Sequence, residues 1–94
     1  MDRIPSVIVL VEHTCLYLAK TGRRVSNCEI DEAVIASLQI PQVLLEDIHS
    51  GKRTVFQYRM AWARTKAKSL GLAISPAKAY WESTPLNNQV HNKI

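Results

Sequence analysis

The stretch from Ser50 to Ser83, SGKRTVFQYRMAWARTKAKSLGLAISPAKAYWES, constrains the fold more than any other. From Arg53 to Ser69 neither Pro nor Gly interrupts it, and Gly71 follows where a glycine ends a helix. Two short β-prone runs come next, Leu72–Ser75 and Ala79–Ser83, separated by Pro76-Ala77-Lys78. A long helix followed at once by a small hairpin is therefore expected. Charge marks the same segment. Between Ile48 and Trp81 stand seven Lys or Arg residues, at 52, 53, 59, 64, 66, 68 and 78, and no Asp or Glu. Residues 1–47 reverse the balance, with seven acids against four Lys or Arg. Solubility alone favours mixed signs, so a segregated basic helix points to a polyanionic partner.

At about 100° per residue the helix resolves into faces. Phe56, Met60, Ala63, Ala67 and Leu70 form a stripe that must be buried. Arg53, Gln57, Arg64 and Lys68 form a second, with Thr54 beside it. Arg59 and Lys66 lie on the other flank of the apolar stripe, near Val55 and Trp62. Basic residues on both flanks of an apolar face suit docking on nucleic acid, long side chains reaching phosphates on either side of a groove. With the hairpin behind it, this is the shape of a winged-helix recognition unit.

The rest of the 94-residue chain is large enough for one core. Pro5 to Lys20 reads as a first helix ending at Gly22, with Val7, Leu10, Val11, Thr14, Cys15 and Leu18 inward and Val9 and Leu16 outward. Arg23-Arg24-Val25 is a short extended piece. Ser26-Asn27-Cys28-Glu29 is a capping box that opens a second helix to about Leu38, with Ile30, Ala33, Val34 and Leu38 inward. Glu29, Asp31 and Glu32 suit its positive end. Pro41 opens a short third helix carrying Leu44, Leu45 and Ile48, and residues 49–52 turn into the basic helix. Thr84 to Ile94 has no periodicity. The expected fold is α+β, mainly α: a winged helix-turn-helix over residues 1–83 with a three-helix core, an extra short helix and a two-stranded wing. Residues 84–94 are then a polar C-terminal tail, mobile or lying on the surface.

Ser50-Gly51-Lys52, Thr54, Phe56, Arg59, Trp62-Ala63-Arg64-Thr65, Gly71-Leu72, Ser75-Pro76 and Tyr80-Trp81 together resemble the N-terminal winged-helix domain of Mrr-type restriction endonucleases. The resemblance covers the whole chain in outline, its specific motif lying in the C-terminal half. It implies a winged-helix DNA-binding fold of the kind usually fused to a nuclease domain. Two departures stand out: Tyr58 replaces the Asn that the family commonly has before the Arg, and no nuclease domain follows, so a stand-alone module is expected.

Chemistry at a catalytic site is not expected. Ser50-Gly51-Lys52 fails as a phosphate loop, because Glu46 holds the place of its leading glycine. A restriction-type nuclease needs a carboxylate followed two residues later by Lys, and none of the eight acids has one. His13, His49 and His91 are scattered, and Cys15 and Cys28 lack paired spacing, so neither metal nor cofactor is expected. Two cysteines and no signal or membrane-spanning run fit a cytoplasmic chain.

The function expected is recognition of double-stranded DNA, in restriction, phage defence or a small regulator, with residues 53–69 entering the major groove. Arg53, Thr54, Gln57 and Tyr58 are then nearest the bases, with Lys52, Arg64 and Lys68 on phosphates and Lys78 at the wing tip. Gln57 could pair bidentately with adenine and Arg53 with guanine. Further partners compatible with this are a second copy or a separate nuclease or methyltransferase subunit. The alternative is a protein-interaction module that uses Val9, Leu16 and the tail. Binding to duplex DNA at low salt separates the two.

Overall fold

The computed structural model describes residues 3–91. In chain order the elements are α1 (Val7–Thr21), β1 (Val25–Ser26), α2 (Asn27–Leu38), α3 (Gln42–Leu45), β2 (Ile48–Ser50), β3 (Arg53–Thr54), α4 (Val55–Ser69), β4 (Ala73–Ala77), β5 (Tyr80–Ser83) and α5 (Pro85–His91). Helices α1, α2 and α4 enclose the core, built on Leu10, Leu18, Val25, Ile30, Val34, Phe56, Met60, Ala63 and Ala67. β4 and β5 form the wing, and β1 adds a third antiparallel strand in the order β1-β5-β4. Its register sets Val25 opposite Trp81 and Ser26 opposite Tyr80. The fold is an α+β, mainly helical winged helix.

Local chemistry accounts for the helix ends. Ser26 caps α2, its Oγ accepting from the Glu29 N–H at 3.2 Å while the Ser26 N–H donates to Glu29 Oε1 at 3.3 Å. Gly71, at φ 77°, lets the chain leave α4 in the left-handed region. There the Gly71 N–H donates to Lys68 O and the Leu72 N–H to Ala67 O, satisfying carbonyls the helix leaves open. α1 begins at Val7, two residues later than Pro5 suggests. Ile4 is buried in the core, and Arg59 holds the carbonyls of Ile4 and Pro5 at 2.7 and 3.2 Å, which keeps these residues outside the helix.

Four expectations are corrected. Residues 49–52 are not a plain turn, because β2 and β3 pair as an irregular hairpin leading into α4. Pro76 lies within β4, where a shift of register between Ile74 and Ala77 accommodates its missing N–H, so the turn is Lys78-Ala79. Leu70 is 49% exposed, since it falls where α4 ends and its stripe runs off the core. Finally, residues 85–91 of the expected tail form α5. Thr84 Oγ1 accepts from the Asn87 N–H, and the buried Asn87 donates through Nδ2 to Cys15 O at 3.0 Å and Ser83 Oγ at 2.7 Å. An amide rather than an apolar stripe anchors this helix, so hydrophobic periodicity could not reveal it. Residues 92–94 of that tail lie outside the described residues.

Candidate nucleic-acid interface

The cations of the acid-free segment separate into bonded and free. Arg64 is only 9% exposed, and its Nη1 meets Asp31 Oδ1 at 2.6 Å. Its position, four residues after Met60 and three before Ala67, sets it at the border of the buried stripe, against Asp31 in the second turn of α2. The expectation that Arg64 lies on phosphates is therefore corrected: it is an internal ion pair. Burial raises the Asp31 carboxyl above its ordinary range, and the charge and hydrogen bond of Arg64 oppose that shift without cancelling it. Arg59 is held by the two carbonyls before α1. Lys52, Arg53, Lys66, Lys68 and Lys78 are exposed, and none of them forms an ion pair among the described residues.

Two of the residues expected near bases have structural work at the start of α4. Thr54 Oγ1 accepts from the Gln57 N–H at 3.1 Å, and the Thr54 N–H donates to Gln57 Oε1 at 3.0 Å. This is a second capping box, with Gln in the third helical position. A bidentate contact of Gln57 with adenine needs that same amide oxygen turned outward, so it competes with the cap.

The outward face of α4 lies opposite Phe56, Met60, Ala63 and Ala67, and it carries Tyr58, Ala61, Trp62 and Thr65. These four recur at the i, i+3, i+4, i+7 spacing of one helix face. Together with Arg53 they line a shallow hollow of about 350 Å³. Tyr58 is half-buried, its ring stacked on His49 with centroids 3.9 Å apart and planes 9° from parallel. Trp62 is 54% exposed. Of the stripe of Arg53, Gln57, Arg64 and Lys68, only Arg53 reaches the hollow, and the other three lie to its flank. His49, Ala61 and Thr65 were not among the sequence-derived contacts, and Trp62 and Lys66 were placed only on the other flank of the apolar stripe. The i, i+4 and i+7 spacing from Tyr58 to Trp62 and Thr65 could have singled out the outward face. Nothing in the sequence links His49 to Tyr58, which only the hairpin brings together.

The wing is tied to the start of α2. Ala79 O accepts from the Asn27 N–H at 3.0 Å, and Trp81 Nε1 donates to Asn27 Oδ1 at 2.6 Å. Lys78 is exposed in the turn they support. Nearby, Arg23 pairs with Glu29 at 2.8 Å, and that hydrogen bond, joined by the one from the Ser26 N–H, lowers the Glu29 carboxyl. The Mrr N-terminal domain model matches residues 12–93. The chain belongs to that family. No curated protein and no solved structure matches it.

The match to the Mrr N-terminal domain reaches past the wing into α5, in keeping with the packing of Asn87 on α1. A second groove of about 910 Å³ in this domain is lined by α1, α2 and α5, with His13, Leu16, Tyr17, Ser37 and His91 in its walls. His13 Nδ1 and Ser37 Oγ are 2.8 Å apart across it. Among the described residues no group of three or more His, Cys, Asp or Glu side chains could hold a metal ion. No helix there is long and apolar enough to cross a membrane.

Proposed function

We propose that this Mrr N-terminal domain is a double-stranded DNA-binding module of a restriction or phage-defence system. It acts in the cytoplasm and has no catalytic site of its own. The observation that carries the reading is the set of five exposed cations on an acid-free segment, Lys52, Arg53, Lys66 and Lys68 on α4 and its entry and Lys78 in the wing turn. Lys52, Lys66 and Lys68 suit phosphates beside the helix, and Lys78 suits a phosphate under the wing, while Arg53 and Tyr58 are nearest the bases. Cleavage or modification then belongs to a nuclease or methyltransferase partner, which this domain delivers to its site.

Fluorescence anisotropy with a labelled duplex tests the proposal. If about four or five phosphates are neutralised, log affinity falls against log salt with a slope of about −4. Replacing Lys66 and Lys68 by Ala should flatten that slope by about two and weaken all sequences alike, because phosphate contacts carry no sequence information. Absence of binding at low salt, or binding indifferent to salt, refutes it. A protein-contact reading would rest instead on the second groove, where Leu16 is 42% exposed.

A further inference from the structure

We infer that the hollow on α4 is a stacking subsite for an unpaired nucleobase. The inference rests on the DNA-binding reading and names what that face recognises beyond phosphates. Ala61 and Thr65 are small side chains one turn apart, and the space they leave is flanked by Tyr58 and Trp62. More than half of the Trp62 surface lies in water, in the middle of a face otherwise surrounded by cations. Tyr58 is already held against His49 at a 3.9 Å ring separation, so its ring need not be ordered when a ligand arrives. Arg53 contributes a guanidinium, which pairs with a phosphate or lies over a π-face.

The charge around the hollow selects the occupant. Lys52, Arg53, Lys66 and Lys68 are exposed on this helix and its entry, with no acid between Ile48 and Trp81, so an anionic strand fits and an acid-poor protein surface does not. Bases in a paired duplex are covered above and below by their neighbours and show the groove only their edges. A base reaches two aromatic rings by its face only after leaving the stack, and base–aromatic stacking tolerates any base because each has a π-face. The subsite therefore reads local loss of pairing rather than sequence.

The test uses the full chain and two duplexes of the same flanking sequence, one fully paired and one with a single unpaired thymidine at its centre. The expected result is about tenfold tighter binding of the bulged duplex at fixed salt. Trp62→Ala should bring the ratio of the two affinities to about one, whatever it does to binding of the paired duplex. Thr65→Leu, which fills the hollow from an exposed position and leaves both rings in place, should do the same. Equal affinity of the wild-type chain for the two duplexes overturns the inference, as does a preference that survives both substitutions. If neither duplex binds at low salt, the DNA-binding reading itself fails, and that outcome is distinct from equal binding to both.

Discussion

Arg64 shows how one position changes meaning between sequence and structure. In a basic run it reads as a phosphate contact, yet its side chain is 11% exposed and its partner Asp31 26% exposed, at 2.6 Å from each other. Removing either partner strands a charge where water is scarce. Arg64→Met or Asp31→Leu alone should cost about 3 kcal/mol, whereas the double change should recover most of that loss, because desolvation already offsets much of the pair's attraction. Urea denaturation of the two single variants and the double variant checks it. The double variant should keep the affinity and salt slope of the parent chain, whereas loss of an Arg64 phosphate contact would weaken binding and flatten the slope by about one. The cysteines differ in the same way. Cys15 is buried, and its thiol is pushed up to about 11 by the loss of solvent, while Cys28 is exposed. A thiol reagent at neutral pH should count one reactive cysteine in the folded chain and two in denaturant.

At the scale of elements, the ends carry the specificity of the fold. α4 begins on the Thr54–Gln57 box and ends on Gly71, and both devices are local, so their costs are predictable from the chain. Thr54→Ala should cost about 1 kcal/mol through loss of the cap. The wing turn holds the opposite case, a residue that does not suit its place. Ala79 adopts φ 66°, in the left-handed region that Cβ disfavours, and it does so while its carbonyl receives the Asn27 N–H. Ala79→Gly should relieve that conformation and stabilise the domain by up to about 1 kcal/mol, less the extra entropy of the unfolded glycine. Comparison of thermal midpoints decides the sign. A lower midpoint for Ala79→Gly would mean that the turn is not strained.

At the scale of the whole molecule, α5 joins the two ends of the chain. Its Asn87 is fully buried and bonded to the backbone of α1. Asn87→Ala leaves the carbonyl of Cys15 without this donor and opens a cavity, and should cost about 2 kcal/mol. Ending the chain at Ser83 should be at least as destabilising. A truncated chain as stable as the full one, by denaturant midpoint, would return residues 84–94 to the status of a dispensable tail. The wing is integrated in the same manner, since Trp81 packs against the core and donates to Asn27. Motion of the wing relative to α2 therefore requires breaking that bond.

Local and periodic signals were enough for much of this architecture. The Ser26–Glu29 box, the uninterrupted run before Gly71 and the inward stripes of α1 and α4 depend on residues within a turn or two of each other, so each is legible in the chain itself. The concentration of cations between Ile48 and Trp81 is likewise a property of composition. The tertiary structure alone decided which of those cations remain available. Arg64 turns to Asp31 and Arg59 to the backbone before α1, across separations of 33 and 55 residues that no local pattern reports. It also decided that His49 meets Tyr58 and that an amide, not an apolar face, docks α5. Hydrophobic periodicity records how much surface an element must bury, whereas hydrogen bonds and ion pairs between distant elements depend on where packing sets them.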